Sequence, residues 1–334
     1  MQEIDFFYLK FLSASFVAFL ISYYLSPIIR DIALRWFAYD YAVVKGQKKP
    51  VPPFGGIALF IGFFISFVMM FPFDCREIVL LVPLAFLVAL GFCDDIFSIS
   101  RGIIFAGITL ISIIFIFLGF HIMNSAVPWL IQYSASFVWF SLVITTFKMV
   151  DVMDGLAISL GIASIFSYMT FAFLFHQNAL ALCLALLLGS CFAVFYYNLE
   201  PAQISLGSSG SFFIGGCVAS LPFLIDWSGS NIFSEYIVPL LLIAIPIIEI
   251  TQLIVRQKGK TLPFCYANQD CFQHYLQKKG WTSTGIVIYI FILSLFLLFL
   301  SLRYIFSAIS ISQLTALFMF FLVVWFFLKT KKAK

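Results

Sequence analysis

The chain has 334 residues, of which 63% are hydrophobic and only 10% charged, and its formal net charge is +4. A water-soluble domain is nearer half apolar and a quarter charged, so this composition excludes one and points to a polytopic membrane protein. The small positive balance is what basic residues kept on one side of a membrane produce, and it carries no indication of nucleic acid.

A membrane-spanning helix needs about 20 apolar residues. The hydropathy pattern predicts eleven spans, at 7–26, 54–72, 78–93, 102–120, 133–147, 155–175, 179–197, 210–226, 236–255, 284–303 and 310–328. The longest gaps between them, 27–53 and 256–283, are too short for a soluble domain. Residues 1–334 are therefore expected to form one all-α, polytopic integral-membrane bundle of about 11 transmembrane helices. The first span follows Glu3 and Asp5 without a basic leader, so it is expected to be a true span and not a signal peptide.

All but three of the 19 Lys and Arg residues fall on the side reached after the odd-numbered spans, the exceptions being Lys10, Arg76 and Arg303. The positive-inside rule makes that side cytoplasmic, with the N-terminus outside and the C-terminus inside. The seven cysteines are scattered and form no CxxC pair, so no disulfide framework is expected.

The first cytoplasmic loop carries Lys48 and Lys49 and then Pro52, Pro53, Phe54, Gly55 and Gly56. The prolines stiffen the approach to the second span, the glycines permit close packing, and the lysines suit a phosphate as well as ordinary positive-inside charge. Asp94 and Asp95 close the third span. Adjacent carboxylates repel unless a cation neutralises them, and Mg2+ is bound by one or two carboxylates together with substrate phosphates. A solvated helix end is the less favoured account of the pair.

Asp151 and Asp154 lie three residues apart before Gly155, which would put them on one face if the segment were helical. They also precede the sixth span, where a helix N-terminus favours carboxylates. Lys148 stands just before them. Between spans seven and eight, Gly207-Ser208-Ser209-Gly210-Ser211 opens a helix whose exposed N–H groups suit an anionic phosphate, although such turns are common. The last long cytoplasmic loop holds His274, a candidate general base or phosphate contact.

Taken in order, these segments resemble the polyprenyl-phosphate N-acetylhexosamine-1-phosphate transferases. Pro52-Pro53-Phe54-Gly55-Gly56-Ile57 is similar to that family's PTPxGGI, and Gly91 to Asp95 to its GxxDD. Asp151 to Ala157 resembles DGxDGLA, and Tyr197-Asn198 with Pro201-Ala202 and Gly207 to Ser211 resembles YNxxPAxxFxGDxGS. The span arrangement looks like the branch acting on UDP-N-acetylglucosamine. The resemblance implies a UDP-sugar donor, a polyprenyl (undecaprenyl) phosphate acceptor, release of UMP and a bacterial inner-membrane location with the site on the cytoplasmic face. It implies Mg2+ (or Mn2+) as cofactor, with Asp94 and Asp95 as metal-binding and catalytic acids. It also implies that Lys48, Asp151, Asp154 and Asn198 line the nucleotide site, and that a homodimer is an admissible assembly.

The chain departs from that pattern at named positions. Ser208 stands where the family has an acid that binds magnesium, and Thr145 and Lys148 stand where it has two asparagines. Of its HxHH cluster only His274 is present. Lys148 and Ser208 are expected among the substrate-binding residues, Lys148 supplying fixed positive charge near the substrate diphosphate, with a shifted ligand such as Glu200 or Asp270 replacing the missing acid. A catalytically degenerate homologue that binds lipid phosphate or nucleotide sugar is one alternative. A transporter is another, disfavoured by acids at span ends and by the lack of a repeat.

Overall fold

The structure, a computed structural model, describes residues 2–45, 51–71, 76–122, 127–151, 153–227, 233–257, 276–277, 279–306 and 313. In hydrocarbon every backbone N–H and C=O must be satisfied within its own segment, and the helix does this for an apolar run of any composition. The elements are accordingly α1 (Gln2–Lys45), α2 (Gly55–Met70), α3 (Leu81–Phe97), α4 (Arg101–Phe117), α5 (Trp129–Val150) and α6 (Leu156–Leu174). They continue with α7 (Asn178–Asn198), α8 (Gly207–Leu224), α9 (Ser234–Leu242), α10 (Ala244–Gln257) and α11 (Ser283–Ile305). Among the described residues seven stretches are long and apolar enough to cross a membrane: Leu9–Arg35, Glu77–Phe97, and the whole of α5, α6, α7, α8 and α11. The pair α9–α10 makes an eighth if counted as one broken span, and α2 and α4 are shorter apolar helices. The chain is thus a multi-pass helical membrane protein. The segment expected at 310–328 lies, but for residue 313, outside the described residues.

Two elements differ from the expected spans. Helix α1 does not stop near residue 26 but runs on to Lys45, through Pro27. Beyond that proline no glycine or second proline interrupts the chain before Gly46, so nothing ends the helix at the span boundary. The segment 236–255 is instead two helices, bent by 64° at Ile243. Pro246 has no N–H to offer the carbonyl of Leu242, four residues back, and its ring crowds that carbonyl. The first helix therefore ends at Leu242.

The chain divides into two compact units, Met1–Asp226 and Trp227–Lys334. In the first, α8 is the central helix and packs on α2, α3, α5 and α6, while α7 packs on α1, α2 and α6. Every residue of α8 from Ser208 to Pro222 is buried. Membrane helices gain little from hiding apolar surface and associate where small residues let backbones approach. A Cβ on Gly56 of α2 would overlap the Gly210 backbone of α8, and one on Gly91 of α3 would overlap Ser209. These two contacts bring the ends of α2 and α3 against the start of α8. In the second unit α9 packs on α10 and α11, and the Thr282 hydroxyl caps α11 by accepting the Gly285 N–H at 3.1 Å. Cys183, Cys191 and Cys217 are buried thiols without a disulfide.

Candidate functional site

One end of the first unit gathers the C-terminal turns of α3, α5 and α7 and the N-terminal turns of α2, α6 and α8. The loop before α8 is pinned by backbone pairing with the proline-rich segment before α2. Ser205 N–H donates to the Pro52 carbonyl, Gly55 N–H to Ser205 and Gly56 N–H to Leu206, each at 2.9 Å. Residues 52–56, read from sequence as a stiff approach to a span, thus also hold the first turn of α8 in place.

At that turn the N–H groups of Ser208 and Ser209 have no partner within their own helix. They donate to Asp95 of α3, to Oδ1 at 2.7 Å and to Oδ2 at 3.1 Å. Gly207 makes the approach possible: its φ is +74°, and a Cβ there would overlap the Pro53 carbonyl and come within 2.8 Å of Asp95 Oδ2. The helix start expected to face a substrate phosphate therefore faces a carboxylate of its own chain. A carboxylate on the last turn of α3 is disfavoured by that helix's dipole and favoured by the dipole of α8, so this pairing offsets the cost of its position.

Asp94 makes the second link. Its Oδ2 accepts the Ser208 hydroxyl at 2.5 Å and lies 3.2 Å from Nζ of Lys148. Lys148 also donates to the Ser208 hydroxyl oxygen. The ammonium stands in the last turn of α5, where the dipole favours a cation. It also lies 5.6 Å from the ring centre of Phe212. The Lys148 side chain is 34% exposed and that of Asp94 13%, so the ammonium still reaches solvent while its partner largely does not.

Asp151 and Asp154 fall in the turn between α5 and α6, not on one helical face as their spacing suggested. Helix α5 ends at Val150, and Gly155, with φ +80°, precedes the first turn of α6. Asp151 Oδ2 lies 2.8 Å from the Ser211 hydroxyl, whose proton is shared with the Gly207 carbonyl at 2.5 Å. Asp154 is half-buried in the turn. Asn198 ends α7 with 2% exposure; its Oδ1 accepts the Gly155 N–H at 2.9 Å and its Nδ2 donates to the Ile204 carbonyl at 3.1 Å. It thereby braces the start of α6 against the loop into α8. Arg30 of α1 reaches the same loop, donating to Gln203 Oε1 at 2.9 Å, a tie that its place among many basic residues did not reveal. Glu200 is exposed and takes part in none of these bonds. Lys48, His274 and Asp270 lie outside the residues whose side chains are described.

Three of the four oxygens of the paired acids are engaged within the protein, which disfavours a divalent ion held between them. Asp95 has both oxygens engaged by N–H groups, and Asp94 Oδ2 is engaged by a hydroxyl and an ammonium. Among the described residues no three His, Cys, Asp or Glu side chains lie close enough together to hold a metal ion. The cation beside the carboxylate pair is Lys148.

A family model described as Glycosyl transferase family 4 matches residues 77–226, which include Asp94, Asp95, Lys148, Asp151, Asp154, Asn198 and Ser208. The chain is 25% identical, over 83% of its length and 81% of the relative's, to a Bacillus subtilis (strain 168) protein named a probable undecaprenyl-phosphate N-acetylglucosaminyl 1-phosphate transferase. It is 26% identical to the phospho-N-acetylmuramoyl-pentapeptide-transferase of Borreliella burgdorferi (strain ZS7), over 84% of this chain and 91% of that one. With the Desulfotalea psychrophila protein of the same name the identity is 25%, over 86% and 90%.

Proposed function

We propose, from the premise that the chain belongs to the polyprenyl-phosphate hexosamine-1-phosphate transferases of the glycosyl transferase family 4 type, that it moves an N-acetylhexosamine-1-phosphate from a UDP-sugar to undecaprenyl phosphate at the cytoplasmic face of a bacterial inner membrane. N-acetylglucosamine-1-phosphate is the group we assign, by likeness to the Bacillus subtilis relative. The product lipid would begin an envelope polysaccharide.

In the reaction an oxygen of the lipid phosphate attacks the phosphorus that carries the sugar. A new P–O bond forms, the P–O bond to UMP breaks, and UMP leaves with the bridging oxygen and its electron pair. A phosphate monoester has its second pKa near 6, so the acceptor is already ionised at neutral pH and needs no strong base. What the reaction asks of the protein is position and positive charge where the leaving phosphate becomes more negative.

The observation that carries this reading is the Lys148 ammonium, held by Asp94 and by the Ser208 hydroxyl and still open to solvent. An ammonium has three N–H donors. With two engaged inside the site, one remains for an oxygen of the diphosphate. Because Asp94 and Ser208 hold it in advance, it need not reorganise as charge develops. On this reading Asp94 and Asp95 are positioning residues: one orients Lys148, the other fixes the start of α8. Asp154 is assigned to the nucleotide as a hydrogen-bond acceptor.

The test is UMP release by the purified full-length protein given UDP-N-acetylglucosamine and undecaprenyl phosphate. Release by the wild type that is lost in Lys148→Ala supports the reading. Release unchanged by that substitution removes Lys148 from the mechanism, and a silent wild type that still binds the UDP-sugar replaces transfer with binding alone.

A further inference from the structure

We infer that Lys148, joined to Asp94 through Ser208, occupies the place of an exchangeable cation, so that the site takes the diphosphate of its nucleotide sugar as the metal-free anion. The inference deepens the proposed function and rests on it for the identity of the ligand. Its core, a resident ammonium in the place of an exchangeable cation, rests on geometry alone.

Two neighbouring carboxylates need compensation. Asp95 receives it from the α8 N-terminus, which acts as roughly half a positive charge and delivers two N–H groups. Asp94 receives it from Lys148 at 3.2 Å. The ammonium bridges Asp94 Oδ2 and Ser208 Oγ, two oxygens from different helices, as a bound cation would. A hydroxyl at position 208 serves this purpose in a way a third acid would not. It accepts from the ammonium and donates to Asp94, joining the two without adding negative charge.

The surroundings favour an organic cation over a hydrated ion. Lys148 lies against the face of Phe212, which attracts an ammonium by its ring quadrupole and offers a magnesium ion no ligand. A dication approaching Asp94 would meet the fixed positive charge of Lys148, with both oxygens of Asp95 and Oδ2 of Asp94 already engaged.

The experiment uses the purified full-length protein in detergent. Mn2+ binding is followed by electron paramagnetic resonance, and UDP-N-acetylglucosamine binding by calorimetry in excess EDTA and in MgCl2. The wild type is expected to show no saturable Mn2+ site, and its nucleotide-sugar affinity is expected to agree within about twofold between the two buffers. The double variant Lys148→Asn, Ser208→Asp is expected to gain one saturable Mn2+ site and an affinity that falls at least about tenfold in EDTA. Should that variant not fold, Lys148→Ala serves instead, with Mn2+ expected to raise its melting temperature and not that of the wild type. A stoichiometric Mn2+ site in the wild type that Asp94→Asn abolishes overturns the inference, as does a wild-type affinity that collapses in EDTA. If the wild type binds no nucleotide sugar in either buffer but also no Mn2+, the proposed function fails while the resident ammonium stands.

Discussion

Asp95 caps a helix to which it does not belong: its carboxylate takes the Ser208 N–H at 2.7 Å and that of Ser209 at 3.1 Å. A capping carboxylate normally precedes its helix in sequence, whereas this one arrives from the end of α3. Removing an N-cap side chain costs about 0.5–2 kcal/mol. Asp95→Ala is therefore expected to lower the melting temperature of the detergent-solubilised protein, and Asp95→Asn, which keeps one acceptor oxygen, to lower it less. Equal losses would show that the charge, and not the hydrogen bonds, holds α8.

Gly207→Ala tests the same junction from the other side. The substitution forces a side chain into φ +74° and pushes a methyl group onto the Pro53 carbonyl. A strained left-handed residue costs on the order of 1–3 kcal/mol, and the displaced α8 start would no longer meet Asp95. Both stability and UMP release should fall, and a variant with wild-type melting and release would contradict the geometry.

Lys148→Ala is expected to reduce UMP release by roughly two to three orders of magnitude, the scale of losing one pre-positioned electrostatic donor. Lys148→Arg should restore only part of it, because a planar guanidinium cannot replace a compact ammonium between Asp94 and Ser208. Single-turnover kinetics separate this from weaker substrate binding.

Asn198→Ala strands a buried Gly155 N–H and a buried Ile204 carbonyl, each worth about 1–3 kcal/mol when left unsatisfied. The expected result is a clear loss of stability, read by thermal unfolding. Nucleotide binding should weaken only as far as the fold does, because the side chain braces the loop. A variant that melts like the wild type yet fails to bind UDP-sugar would return Asn198 to the ligand.

The helices are legible in the sequence because apolar runs announce themselves locally, and Asp94, Asp95, Lys148 and Ser208, which the structure brings together, each stand out there as candidates. Their partnerships are not legible. Asp95 and Ser208 are 113 residues apart, and no periodicity within a segment reports which distant segment will face it. The break at Ile243 was legible in principle, since Pro246 must leave the Leu242 carbonyl without its helical donor. The condition for Asp151 and Asp154 to share a face, a helical segment, is not met because α5 ends at Val150 and Asp151 already has the non-helical φ −72° and ψ 55°.

The separation of these partners also sets a schedule for the ribosome. Asp94 and Asp95 leave it before Lys148 exists, and long before Ser208, 114 residues after Asp94. At synthesis rates of about 5–20 residues per second, the last partner follows roughly 6 to 23 s later. Until Lys148 follows, two adjacent carboxylates stand at the end of an inserted span with no ammonium to meet them, and until Ser208 follows Asp95 still lacks its helix terminus. Interfacial water can hydrate them at a span's end and could not at its middle. The junction that completes the site is thus one of the last this half of the chain can make, and nascent chains halted before Ser208 should remain open to protease between α3 and α5.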